Sequence, residues 1–258
     1  MDDRRPTTNP ALAPACLLAA LAALTIAGGG CRAVATGRNV DGVRYFQQGQ
    51  YPVALQRFDA ALTIDPRNPD SYYNKGALLH RSGLAMGDQN ALTQAESLYR
   101  QCLDYNPDHV DCHRGLAVLL TETNRVPQAF ELLKGWATRS PQNADARVEL
   151  ARLNEEYGDR RSAELYLNES LAVAPGNWRA HAALGRLKEQ AGDVSQAIVN
   201  YERSYNLNRF QPQLEQRIAS LRKSTPATSA GGTVIAGGAS SPLAPTRTAT
   251  APKTFRTY

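Results

Sequence analysis

No G-x-S-x-G elbow, no phosphate-cradling G-x-x-x-x-G-K-[ST] loop and no H-E-x-x-H pair occurs anywhere in the chain. Their absence removes the commonest layouts for nucleophilic hydrolysis, nucleotide binding and zinc-dependent hydrolysis. The carboxylates fall mostly on helix faces that read as solvated, so neither an enzyme, nor a cofactor, nor a small-molecule substrate is expected. A basic excess is also missing where it would count. The net charge is +5, yet residues 35–222 carry 22 Lys plus Arg against 22 Asp plus Glu. The surplus lies at the ends, in Arg4, Arg5 and Arg32 and in Lys223, Arg247, Lys253 and Arg256. A nucleic-acid reader needs its positive stripe on the folded face, so no nucleic-acid partner is expected. Cysteine is scarce: Cys16, Cys31, Cys102 and Cys112 are the whole set.

What the chain does have begins with an arginine pair, an apolar run from about Ala11 to Ala27, and then small residues. This is the layout of a secretory signal and stays outside the fold argument. Gly30 followed by Cys31 resembles a bacterial lipobox, with Cys31 as the lipidated residue, although Gly28 stands where that pattern has leucine. Two alternatives stay open: cleavage after Ala33-Val34-Ala35 to a secreted or periplasmic soluble product, and an uncleaved anchor slightly shorter than the ~20 apolar residues of a spanning helix. All three place the remainder in the bacterial cell envelope, and the first makes it a membrane-anchored lipoprotein with residues 1–31 as its targeting segment.

Beyond this segment the chain repeats. Ala54, Ala95, Ala129, Ala163 and Ala197 are spaced 41, 34, 34 and 34 residues apart. Twelve residues before each stands a small residue, with the second unit stretched: Gly42, Gly76, Ala117, Ala151 and Gly185. Twelve residues after each stands Pro66, Pro107, Pro141 or Pro175, and Arg209 in the last unit. A 34-residue helix-turn-helix unit with this signature resembles the tetratricopeptide repeat (TPR). The resemblance covers residues 35–211 and implies an all-α fold: a right-handed α-solenoid of five TPR helix pairs, here called A and B within each pair.

The units are 35–68, 69–109, 110–143, 144–177 and 178–211, with a capping helix at 212–223, so the solenoid spans 35–223. Tyr45 and Phe58 are the large core residues of the first, whose A helix is weakened by Gly37 and Gly42. Small residues stand where helices A and B cross, since larger ones would force the axes apart. Gly49, Asn124, Gly158 and Gly192 fall where a helix must end in a left-handed residue. The second unit carries seven extra residues, close to two helical turns. Gly87 as its turn would lengthen helix A through Leu84 and Met86 and helix B through Ala91 and Leu92, giving a protruding hairpin with apolar surface at its tip. Leu214, Ile218 and Leu221 give the cap one apolar stripe. Residues 224–258, rich in Ser, Thr, Ala, Gly and Pro, read as disordered.

Cys102 falls on the second B helix and Cys112 on the adjoining A helix. They read as small apolar fillers, with a disulfide as the alternative if their Cα atoms come within ~7 Å. His109, Cys112 and His113 have zinc-ligand types at poor spacing. A zinc-dependent activity built on them is the outlying alternative, and no metal is expected. In TPR arrays the A helices line a concave groove through their second, fifth and ninth positions among others. The resemblance thereby nominates Asn39, Tyr73, Arg114, Val118, Val148, Arg152, Arg179 and Arg186 as partner-binding residues, suited to an extended peptide or a partner helix. The arginines could instead pair within the chain, with Asp111, Glu149 or Glu189. Asn74 matches one asparagine of the clamp by which some TPR domains hold chaperone tails, but Asn39 and Val43 replace its lysines. The function expected is a non-enzymatic envelope scaffold binding a protein or peptide, in a layout similar to pilus, secretion or outer-membrane assembly lipoproteins. The alternative is a cell-wall or polysaccharide assembly accessory that positions an enzyme.

Overall fold

The structure, a computed structural model, describes residues 32–224. Residues 1–31, expected to be a targeting segment ending at Cys31, and nearly all of the Ser/Thr/Pro-rich tail lie outside the described residues. Among the described residues there are eleven α-helices and no strand. They cluster into two compact units, divided between Ser140 and Pro141.

The first unit holds α1 (32–47), α2 (Tyr51–Ile64), α3 (Pro69–Met86), α4 (Gln89–Tyr105), α5 (Val110–Glu122) and α6 (Val126–Arg139). Successive helices pair as A and B because each hairpin turn has a left-handed residue: Gly49 at φ 76°, Gly87 at φ 68° and Asn124 at φ 60°. Close packing inside a pair depends on the small column. A Cβ added to Gly42 would sit 2.5 Å from the Phe58 ring, so α1 and α2 approach through a bare backbone. Phe58 is fully buried, whereas Tyr45 is half-buried under the guanidiniums of Arg44 and Arg57. The seven extra residues do lengthen both helices of the second pair, which reach 18 and 17 residues around Gly87. Leu92 turns inward while Leu84 and Met86 stay exposed at the tip. Buried Leu116, Leu119, Leu120, Leu133 and Trp136 make the core of the third pair, each contributing about 1.5–3 kcal/mol of transfer free energy.

One expectation is corrected in this unit. Cys102 and Cys112 are not separate fillers but a disulfide joining α4 to α5, with Cα atoms 6.5 Å apart. The reason lies in helix placement: both face the same seam between successive pairs, within the reach that a disulfide needs.

The second unit holds α7 (Ala144–Glu156), α8 (Arg160–Val173), α9 (Trp178–Gln190), α10 (Val194–Leu207) and α11 (Pro212–Ser224). Gly158 and Gly192 make its turns at φ 85° and 82°. Val148, Ala151, Ala163, Leu167, Ala180, Ala183, Leu184 and Leu187 form one apolar cluster across three helices. The last pair is closed by α11, whose Ile218 and Leu221 pack against Ala197 and Tyr201. That is the capping expected of a terminal amphipathic helix.

Two polar devices recur in both units. Asn68, His109, Asn143 and Asn177 cap the A helices that follow them by accepting backbone N–H groups. Asp88, Asp159 and Asp193 do the same for B helices. Each A helix from α3 onward is also tied back to the preceding turn by its fourth residue. Tyr72 donates to the Pro66 carbonyl at 3.0 Å, His113 to Pro107 at 2.9 Å, Arg147 to Pro141 at 2.8 Å and His181 to Pro175 at 3.0 Å. Three kinds of side chain, tyrosine, histidine and arginine, thus satisfy one recurring orphan acceptor.

Candidate functional site

In the first unit the nominated residues lie on α1, α3 and α5, and polar bridges hold these A helices side by side. Asn74 donates its amide to Asn39 at 3.1 Å, joining α3 to α1. His109 donates Nε2–H to Asp70 at 2.9 Å, joining the start of α5 to α3. Tyr73 is half-buried with its ring 5.8 Å from that of His109. Arg114 lies 3.3 Å from Asp111 on its own helix, and Val118 is half-buried one turn further on. Asn39, only 8% exposed, is occupied by its bond to Asn74.

In the second unit α7 and α9 carry the arginines, and all three are ion-paired. Arg152 lies 3.1 Å from Glu149 and 3.4 Å from Glu156. Arg179 lies 3.4 Å from Asp145, with its guanidinium 5.3 Å from the Trp178 ring centre. Arg186 grips Glu155 across the helix boundary with two bonds of 2.9 and 2.5 Å, the fork geometry that makes such pairs strong. Glu189 is another of the partners expected for these arginines. It accepts from the Tyr201 hydroxyl at 2.8 Å and pairs with Arg217 of the capping helix. Val148, at 1% exposure, belongs to the apolar cluster and offers no surface to a partner. A fifth-position side chain falls inside here because α9 lies over it.

Two features of this face are unusual. Glu149 is a fully buried carboxylate, and the Arg152 guanidinium lies 3.1 Å from it. Arg152 itself is 12% exposed, and its Nη2 is buried with no acceptor among the described residues. Native proteins leave few such donors, and each calls for an explanation.

The cluster that suggested zinc has another use. His109 Nδ1 accepts the Cys112 amide at 3.2 Å as a helix cap, and its Nε2 is taken by Asp70. His113 turns away and stacks on Trp136, ring centres 4.0 Å apart at 8°. Burial, with help from Arg139, lowers the His113 pKa to about 4, although the Pro107 bond and Asp108 oppose this. Cys102, His109 and Cys112 do place ligand-type atoms within 4.8 Å of one another. With the two sulfurs bonded to each other they are not thiolate ligands.

Sequence reading missed a second buried group. His80, fully buried on α3, donates to Glu122 at 2.9 Å and accepts from the Tyr99 hydroxyl at 3.4 Å, linking α3, α4 and α5. Burial raises the Tyr99 pKa well above its usual value, so the hydroxyl keeps its proton. The available signal was a polar residue at an inward helical position, which asks for partners. Among the described residues no helix is long and apolar enough to cross a membrane.

Helix pairs closed by small columns, capped by asparagine and joined by polar bridges between A helices define an all-α repeat scaffold. Residues 42–83 match the family model of the TPR repeat and residues 88–138 that of the tetratricopeptide repeat, and this is a TPR protein. Among solved structures it is similar to TTC0263, a thermophilic TPR protein of Thermus thermophilus. Identity is 22%, the match covers 73% of this chain and 99% of that one, and the TM-score is 0.54. PilF of Pseudomonas aeruginosa is 18% identical, with 75% and 86% covered and a TM-score of 0.48. At these identities the likeness concerns the fold alone. Protein O-mannosyl-transferase tmtc2 of Xenopus laevis is 36% identical over 86 residues, 33% of this chain. The match spans 10% of that relative's length.

Proposed function

We propose that this TPR scaffold works without catalysis, by binding an acidic segment of a protein or peptide along the A-helix face of its second unit. The observation that carries the reading is Arg152 Nη2, a buried guanidinium donor without an acceptor among the described residues. Around it Arg179 and Arg186 are held in place by carboxylates while still 29% and 27% exposed. A carboxylate entering between them would meet donors whose ordering entropy is already spent. We further propose an envelope location with Cys31 as lipid anchor. The signal-like layout supports it, as does the Cys102–Cys112 disulfide, a bond that persists in oxidising compartments. An assembly role in pilus or secretion machinery rests on that layout alone, by analogy.

The test must respect the buried carboxylate. Reversing Arg152 to Glu would set a second negative charge beside Glu149 and disrupt the unit. Arg152→Met with Glu149→Gln removes both charges together, which is far milder than stranding one. Crosslinking pull-downs from envelope fractions should lose one or more partners with this double variant, provided its melting temperature is retained. An unchanged partner set would sink the groove reading. Equal palmitate-analogue incorporation into the wild type and Cys31→Ala would do the same for the anchor.

A further inference from the structure

The repeats act as controls for one another, and one comparison exposes an unfilled place. Residues 68 apart occupy equivalent positions in the third and fifth pairs: His113 with His181, Pro107 with Pro175, and Trp136 with Ser204. In the third pair the fully buried Trp136 indole lies flat on His113, and its Nε1–H donates to Asp108 at 2.8 Å. His181 repeats the His113 arrangement, bonding the prolyl carbonyl through Nε2 while Nδ1 stays buried and unpartnered. No indole covers it, because Ser204 is too short and points its hydroxyl to the Trp178 carbonyl at 2.8 Å. Ser204 itself is fully buried and also bonded to Gln211, and beside it His181, 6% exposed, borders an open cleft of about 500 Å³ lined by Leu171, Pro175, His181, Arg203, Asn206 and Leu207. This falls within the ~300–1,000 Å³ of small-ligand sites.

We infer that this cleft is a docking site for a tryptophan side chain of an acidic partner peptide, seated over His181 as Trp136 is seated over His113. The chain itself shows that an indole fits such a frame. Leu171 and Leu207 supply apolar walls, and Leu207 is 49% exposed. The acidic preference comes from Arg203, an exposed guanidinium on the rim with no ion pair among the described residues. This contact is separate from the arginine face of α7 and α9 and does not depend on it.

The probe is acetyl-Glu-Trp-Glu-amide, titrated at millimolar concentration into the isotope-labelled full chain and followed by NMR. Saturable shifts are expected at the His181 ring and the Leu207 methyl groups. Replacing tryptophan by leucine in the peptide should weaken binding roughly three- to tenfold, the share owed to ring stacking. Arg203→Glu should weaken it roughly fivefold. Ser204→Trp should abolish binding by filling the cleft from within. Should that variant fail to fold, Arg203→Glu decides, since its side chain is exposed. Absence of shifts at these two residues, equal affinity for the leucine peptide, or indifference to Arg203→Glu overturns the inference. Arg152→Met with Glu149→Gln should leave the titration unchanged, and loss of binding there would overturn the separateness of the two sites.

Discussion

Stability should fall steeply when this protein is acidified into the range where His113 takes up a proton only after unfolding. Its ring is fully buried, stacked on Trp136 and bonded through Nε2–H to Pro107, and burial lowers its pKa from 6.5 to about 4. A group depressed in the folded state binds protons preferentially in the unfolded chain, so its stabilisation is complete above pH 6.5 and is lost as pH falls toward 4. The slope should approach ~1.4 kcal/mol per pH unit mid-window and total about 3 kcal/mol. The assay is urea unfolding of wild type and His113→Gln at several pH values. Glutamine keeps a donor for the Pro107 carbonyl but cannot titrate. The variant starts less stable, having lost the stack, and the gap to wild type should close on acidification. A gap independent of pH, or an NMR titration of His113 near 6.5, would refute the reasoning. Because the described helices form two compact units, the comparison should use probes in the first unit, where Trp136 reports directly.

Removing the disulfide by Cys102→Ser with Cys112→Ser releases a short loop with a sequence separation of 10, and should cost about 3 kcal/mol on the chain-entropy argument. Thermal melts with and without reductant test this, and insensitivity of the wild type to full reduction would count against the bridge. Gly185→Ala would bring a Cβ to 2.6 Å from the Tyr201 ring, whose hydroxyl is tied to Glu189. Overpacking of ~1–3 kcal/mol should outweigh the ~1 kcal/mol gain in helix propensity, and a stabilised variant would show that the ring yields. Arg152→Ala removes the guanidinium beside buried Glu149 and should cost about 3 kcal/mol. Adding Glu149→Gln should restore much of it, and additive losses would deny the coupling.

The helix pairs were readable from sequence because their signals are local and repeated. Small residues at crossings, glycine or asparagine at turns and proline after B helices each act within a few residues, and five copies average out the exceptions. Gly87 and the lengthened second pair were readable for the same reason, since a whole-turn insertion preserves both apolar faces. The contacts between helices were less legible. Arg186 could be assigned to A-helix surfaces, but its two-bond grip on Glu155 joins residues 31 positions apart on different helices. Val148 failed as a groove residue because neighbouring helices decide burial, and a position number cannot carry that. The disulfide and the His80 group depended on distances between residues 10 to 42 positions apart, for which one sequence holds no measure.

Column twenty-seven of the repeat unites these observations. It is occupied by Ala61, Cys102, Trp136, Ser170 and Ser204, and all five are fully buried. Alanine merely fills its place, cysteine bonds across to the next A helix, and tryptophan covers the histidine and reaches the turn before it. Where serine takes over beside a histidine, in the fifth pair, no indole lies on the ring, and an open cleft borders it. In the fourth pair serine again replaces tryptophan, but Arg147 holds the histidine's position and bonds the same prolyl carbonyl. The long guanidinium arm does there what a ring does elsewhere. An invariant scaffold is therefore compatible with a site at one repeat only, because a site requires two columns to change together: a flat ring at the fourth position and the loss of its lid at the twenty-seventh. The second pair also has a ring at the fourth position, Tyr72, without tryptophan at the twenty-seventh, but Tyr105 stacks on it with ring centres 5.5 Å apart, which leaves His181 with Ser204 as the combination to alter first when seeking what this scaffold holds.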